Sequence, residues 1–243
     1  MVGDGGGLTA HLGGPPLEFE TQEIRPGLSA LRIDRSKALI EYLVVQAGVP
    51  AIAAFGPIAR AFDSLASAAP AIREIVTIGK VLWEAKQDRW DLVVADGPPT
   101  GQMGSYLTAP ATILELVPTG RIREQVAWMS ADLANPEHCG LVLVSLAEEL
   151  PVTETLETLA WLQEEHVVPP PLLVANRVLD RLAVPKSIPA GPVAEAARLH
   201  ASLFEEQTRW MKPLKPDHRL PFQFGLFTAP EVTAHLADEV ETW

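Results

Sequence analysis

Short apolar runs alternate with longer segments in which apolar positions recur every third or fourth residue, along the whole chain. Residues 28–33 (LSALRI) predict a strand, and 34–45 a helix with Asp34 or Ser36 as N-cap. Residues 71–86 form the clearest amphipathic pattern, with Ile72, Ile75, Val76, Leu82 and Trp83 on or near one face. It leads into residues 90–101 (WDLVVADGPPTG), where Asp91, Leu92, Val93, Val94 and Ala95 predict a buried parallel strand ending at Asp96, followed by a stiff Gly-Pro-Pro-Thr-Gly turn. Residues 110–132 read as mostly helical, broken near Pro118-Thr119-Gly120. Residues 140–146 (GLVLVSL) and 171–176 (PLLVAN) predict two further buried strands, with a helix over 154–165 opened by Pro151-Val152-Thr153. A proline-rich loop over 185–192 precedes a helix over 193–211, in which Ala197, Leu199, Leu203 and Trp210 are the apolar positions. A last short strand over 220–227 and a helix over 230–242 complete the pattern. Strands separated by helices of this length predict an α/β fold with a mostly parallel sheet and flanking crossover helices.

Composition narrows the function. With 243 residues and 47% hydrophobic positions the chain can bury a full core. A net charge of −12 argues against a nucleic-acid surface, which needs a basic footprint. Cys139 is the single cysteine, so internal disulfides and multi-cysteine metal sites are excluded, and a reducing, cytoplasmic setting is expected. MVGDGGGLTA has no basic region followed by an apolar run, so no signal peptide is expected. Residues 42–59 carry no charge, but Gly48, Pro50, Gly56 and Pro57 would interrupt a spanning helix, and no transmembrane segment is expected.

Asp96 carries the most specific chemistry. An acid at the carboxyl end of a parallel strand lies where open α/β sheets bind ligands, and in nucleotide hydrolases it holds magnesium, often through water. The plainer reading is an Asp that caps a turn. The string Asp96-Gly97-Pro98-Pro99-Thr100-Gly101 favours the first, because two prolines stiffen the loop and Gly97 and Gly101 permit unusual backbone angles close to a ligand. Asn176 offers both donor and acceptor atoms, as an adenine edge requires, though a helix cap or turn residue has the same composition. Asp4-Gly5-Gly6-Gly7 is not followed by lysine, so it is no phosphate loop of the GxxxxGK type and reads as a flexible loop. Gly79-Lys80 lies inside the amphipathic helix and is followed by Val81. No base can be placed beside Cys139, the histidines lack paired metal spacing, and Ser145 is not in a GxSxG elbow.

Four stretches resemble the ArsA-type anion-pump ATPases and the related tail-anchored-protein targeting ATPases, deviant P-loop enzymes. DGPPTG at 96–101 resembles the family's Asp-(Thr/Ala)-(Ala/Pro)-Pro-Thr-Gly signature. LVSLAEELPVTETLETLAWL at 143–162 resembles a strand and a helix opened by Pro-Val-x-Glu-Thr. LLVANRV at 172–178 resembles the strand that ends in a base-contacting Asn, and LRIDRSKALIEYL at 31–43 the ID-x-x-x-A-x-x-EY stretch that leads into helical structure.

The resemblance implies one P-loop-like domain, with a helical subdomain of about 36–88 and 103–136, that hydrolyses Mg-ATP as a dimer and opens and closes on a client protein. Asp96 would link to magnesium through water and Thr100 would belong to the second switch. Asn176, Arg177, Pro221 and Phe222 would border the adenine. Asp4 falls where the water-orienting acid of the first switch is expected, so Asp4 and Asp96 are the catalytic candidates. The chain departs from the family in lacking the first βαβ unit with its GKGGxGK loop, on the order of 30–45 residues. It also lacks the zinc-binding cysteine pair and the metalloid-binding cysteine triad. The Asp96 strand is thereby expected to lose its neighbour, and the chain alone to hydrolyse ATP poorly or not at all. The alternative is a non-catalytic module that pairs with a complete paralogue. Residues 44–62 are either packing of the helical subdomain or a client contact.

Overall fold

The computed structural model describes residues 6–46, 70–183 and 190–243. The chain divides into two compact units, one formed by residues 1–139 with 167–169, the other by 140–166 with 170–243.

The first unit is mainly helical. After α1 (Gly6–Leu12), β1 (Gln22–Arg25) and β2 (Leu28–Ala30) pair as an antiparallel hairpin in the register Gln22↔Ala30 and Glu23↔Ser29. The expected strand at 28–33 is thus a short hairpin arm. Its partner, QEIR, is too polar to stand out in the apolar pattern. Asp34 is the N-cap of α2 (Arg35–Glu41) and accepts from the Lys37 N–H at 2.9 Å. A π-helical turn over Tyr42–Gln46 ends this described stretch, so most of 44–62 lies outside the described residues, as does Asp4.

Helices α3 (Pro70–Ala85), α4 (Thr100–Leu116) and α5 (Arg121–Ala134) pack together around Leu82, Tyr106, Leu107, Ala109, Val126, Met129 and Leu133. The Arg35 guanidinium ties α2 to this bundle by donating to the Tyr106 hydroxyl at 2.9 Å. The break between α4 and α5 falls at 117–120 as expected. Arg123 reaches back to the carbonyls of Leu114 at 2.6 Å and Val117 at 3.0 Å, which satisfies acceptors that a helix end leaves without partners.

The second unit is α/β. Strands β3 (Val142–Leu146), β4 (Leu172–Val178) and β5 (His218–Pro221) form a parallel sheet in the order β3-β4-β5. Helices α6 (Glu149–Glu165) and α7 (Pro192–Leu214) are the crossovers, and α8 (Ala229–Val240) follows β5. Both crossovers step the same way across the sheet, so right-handedness puts both helices on one face. Their core joins Ala147, Val152, Ala175, Met211 and Leu214, all buried, with Leu156, Val178 and Trp210 packed against it. On the other face Val142 and Val144 remain 51% and 54% exposed, while Leu143 and Ser145 on the covered face are buried. The buried strand expected at 140–146 is therefore covered on one side only. Among the described residues β3 also has no neighbour beyond β4. The strand expected over 220–227 stops at Pro221. Gly225, at φ +155°, turns the chain so that the Phe227 ring comes within 2.5 Å of where a Cβ would stand.

Candidate functional site

In the first unit the geometry around Asp96 begins with a buried charge network at the end of α3. The Glu84 carboxylate accepts from the Lys80 ammonium at 2.8 Å, the Arg89 guanidinium at 2.9 Å and the Trp90 indole N–H at 3.1 Å. Lys80 also meets Glu41 at 2.6 Å and lies 4.9 Å from the centre of the Phe19 ring. Burial opposes ionisation of Glu84, but the hydrogen bonds from Lys80 and Trp90 and the charges of Lys80 and Arg89 outweigh it and hold the carboxyl below its ordinary value. Trp90, the first residue of the WDLVVADGPPTG string, is thus pinned to the helix.

Beyond Trp90 the expected buried strand does not form. Residues 91–98 adopt no regular element, and among the described residues none of them makes a backbone hydrogen bond. Leu92 and Val94 are 78% and 82% exposed. The apolar sequence is that of a strand, but a strand exists only through ladder partners, and the described residues of this unit supply none. The segment's other side borders a cavity of about 350 Å³ between the hairpin and α3, lined by Leu8, Leu12, Leu31 and Ile33.

Asp96 stands exposed at the end of this segment, and among the described residues its carboxylate has neither a hydrogen-bond donor nor a cation. The expected Gly-Pro-Pro-Thr-Gly turn does not form as one piece: 97–99 carry no regular element, and Thr100 and Gly101 already belong to α4. Pro99 is the N-cap and provides no side-chain acceptor; its carbonyl accepts from the Gln102 and Met103 N–H groups, and among the described residues the Thr100 and Gly101 amides have no partner at the positive end of the helix dipole. Neither Gly97 nor Gly101 has a positive φ. Gly97 serves instead for close approach, since a Cβ there would lie 2.9 Å from Met103 Cε. One acid and one hydroxyl therefore flank the N-terminus of a helix with uncapped amides. Among the described residues no three potential metal ligands cluster, at Asp96 or elsewhere.

In the second unit the other candidates are brought together at the carboxyl end of β4 and β5. The β4–β5 register runs from Ala175↔Arg219 to Val178↔Pro221, so β4 carries one extra residue, a bulge at Asn176-Arg177. Arg177 sits at φ +55°, and Asn176 Oδ1 accepts its N–H at 2.8 Å. Gln207 of α7 locks the bulge: its Nε2 donates to the Arg177 carbonyl at 3.0 Å and its Oε1 accepts from the Leu179 N–H at 2.8 Å. The Phe222 N–H donates to the Val178 carbonyl at 2.9 Å, which fixes Pro221-Phe222 beside the bulge. Phe222 and Phe224 lie 4.7 Å apart, and both rings are exposed. The Asn176 amide protons have no partner among the described residues. The combination offers a planar ligand an aromatic face and an amide donor.

The residues missed in the sequence are Glu84 and Gln207, which act by positioning and carry no motif. Near Cys139, Asp132 meets the His138 ring Nδ1 at 2.6 Å. Burial first, and the Asp132 charge second, push the Cys139 thiol up, which makes it a poor nucleophile.

No helix among the described residues is long and apolar enough to cross a membrane. No family model matches the chain. Among curated proteins it is similar to the ATPase BagA of Mycobacterium tuberculosis, with 27% identity over 185 residues, which cover 72% of this chain and 54% of that protein. The same figures hold for a protein of a second M. tuberculosis strain and one of Mycobacterium bovis, both given the ATPase designation provisionally. The chain spans about half the length of these relatives. The likeness supports a relationship to ATPases in general.

Proposed function

We propose that the chain forms part of an ArsA-like ATPase, with Asp96 linked through water to the magnesium of Mg-ATP and Thr100 reporting on the terminal phosphate. Asn176 and Arg177, with Pro221 and Phe222, are proposed to border the base. The observation that carries the reading is the 91–98 segment: an apolar strand sequence that, among the described residues, has no backbone partners and leads an unpaired carboxylate to a helix N-terminus without a side-chain cap. Magnesium supplies charge neutralisation at the phosphates; the chain's own groups position it. Catalysis also needs a lysine-bearing phosphate loop, which this sequence does not contain. Two open surfaces, each within its own unit, are of the kind that a strand–loop–helix segment would cover: the unpaired 92–95 backbone and the bare Val142–Val144 side of β3. In this reading hydrolysis drives opening and closing of a homodimer, or of a heterodimer with an ArsA-like paralogue, around a client.

The test is hydrolysis measured on the chain alone and with a co-expressed polypeptide that carries the GKGGxGK loop. The chain alone is expected to be inactive or nearly so, and Mg-dependent hydrolysis to appear with the partner and vanish in Asp96→Asn. Hydrolysis indifferent to Asp96→Asn would refute the assignment. The open surfaces equally suit a second reading, a non-catalytic module that only pairs with a complete ATPase. Complex formation without any dependence of nucleotide turnover on Asp96 would select it.

A further inference from the structure

The second unit contains a pocket that shares Pro221 with the proposed base contact but whose charged residues the nucleotide reading does not use. It measures about 900 Å³ and lies along α7 beside the edge strand β5, walled by residues 178–181 and by Glu239 of α8. That volume suits an organic ligand of moderate size. Four cations line it, Arg181, Lys212, Lys215 and Arg219, against two acids, Asp180 and Glu239. In a chain with 31 acidic and 19 basic residues such a local excess runs against the overall balance. None of the four cations forms an ion pair among the described residues.

The helix dipole accounts for part of this. Lys212 is in the last turn of α7 and Lys215 caps it at φ +47°, where cations complement the carbonyl end. That explanation does not extend to Arg219, on β5, or Arg181, beyond β4. Arg219 and Pro221 alternate along β5 to the same side of the sheet, which carries the guanidinium into the pocket. The floor is apolar, formed by Leu179 and Met211, both buried, and by Phe204. The wall is preorganised, because both atoms of the Gln207 amide are occupied in holding the 177–179 backbone. The cations are thus the groups left to meet a ligand, over an apolar surface that favours a non-polar body.

We infer that this pocket binds a small phosphate ester, with two or more negative charges near Arg219, Lys212, Arg181 and Lys215 and an apolar or ring portion over Met211 and Phe204. This ligand is separate from the Mg-ATP of the proposed active site.

The test is thermal stability and calorimetry of the chain with magnesium-free pyrophosphate as probe, against sodium sulfate at matched ionic strength. Pyrophosphate is expected to raise the melting temperature where sulfate does not, since a ligand of the native state stabilises it. The double variant Arg219→Gln, Lys212→Gln is expected to bind at least about tenfold more weakly, while Asn176→Ala binds as the parent does. Both replaced side chains are exposed, and the melting temperature without ligand checks that the variant folds; Arg181→Gln alone is the second variant. A dissociation constant weaker than about 1 mM, an equal response to sulfate, or undiminished binding in the folded variants would overturn the proposal. A loss on Asn176→Ala would also overturn it, by assigning the anion to the base-contacting site. Loss of the partner-dependent Mg-ATP turnover in Asp96→Asn, with pyrophosphate binding by the chain alone intact, separates this pocket from the nucleotide reading.

Discussion

Glu84→Gln tests whether the buried network holds the Asp96 segment in place. The substitution keeps the side chain's shape and removes its charge. Lys80 is then left with Glu41 at 2.6 Å as its single carboxylate, in a setting where the Lys80 and Glu84 side chains are 6% and 9% exposed. Removing one member of a fully buried pair costs about 3–5 kcal/mol when nothing replaces it. Here Glu41 remains and the Gln carbonyl still accepts, so the loss falls towards the value of one charge-assisted hydrogen bond, about 2 kcal/mol. The Arg89 contact adds little, because its side chain is 56% exposed, and Arg89→Ala is expected to cost below about 1 kcal/mol. Urea unfolding gives the difference through the midpoint at constant slope. Proteolysis within 91–98 supplies a local readout, faster in Glu84→Gln because Trp90 loses its anchor. The pH dependence has a definite sign. The Glu84 carboxyl is held below its ordinary value of 4.5, so its contribution is present above that pH and is lost as the pH falls below it. Glu84→Gln should lack this part of the acid destabilisation. A variant within about 0.5 kcal/mol of the parent, with unchanged cleavage, would refute the reasoning, since that is the ordinary range for surface substitutions.

Leu92→Lys and Val94→Lys should leave stability within about 0.5 kcal/mol of the parent and raise solubility, because both side chains are exposed; urea midpoints and static light scattering check this. The same pair should abolish complementation by a loop-bearing partner if that partner pairs with this segment. Leu214→Ala, at a 2% exposed position in the sheet–helix core, should cost about 2–5 kcal/mol in urea unfolding. Cys139 should react with a maleimide at neutral pH more slowly than a free thiol and accelerate as the pH rises, since burial and then Asp132 raise its pKa from an ordinary 9.0.

Helices were the most legible part of the chain, because their signals are local. The 71–86 pattern became α3, Asp34 caps α2 as its position before the run indicated, and the Pro118-Thr119-Gly120 break separates α4 from α5. The strands at 140–146 and 171–176 were legible in position for the same reason, but exposure was not, because burial depends on what the sheet meets. Polar QEIR hid β1, and the aromatic run after Pro221 imitated a strand that Gly225 prevents. At the candidate site Asp96, Thr100, Asn176 and Phe222 could be picked by residue type and place. The bulge that presents Asn176, the Gln207 lock and the cations converging from the segment after β4, the end of α7 and β5 could not, since each joins residues far apart in sequence.

The 91–95 run shows where pattern reading stops and physical reasoning must take over. Its composition satisfies every local requirement of a parallel strand, yet it forms no strand and has no backbone partners among the described residues. Parallel strands owe their burial to two neighbours and two covered faces, none of which is encoded in the strand itself. Apolar side chains such as Leu92 and Val94 are costly to leave in water, and backbone N–H and C=O groups without protein partners are prone to pair with another chain, so a partner strand would meet both demands. The same logic applies independently to β3, whose uncovered face bears Val142 and Val144 because both crossovers in this unit wind the same way. A helix on that face requires a crossover of the opposite sense, which a unit entering the sheet beyond β3 would provide. The exposed valines and the 91–98 backbone therefore make separate demands, each within its own unit, and they make complementation in trans a sharper test of this protein than any assay of the chain alone.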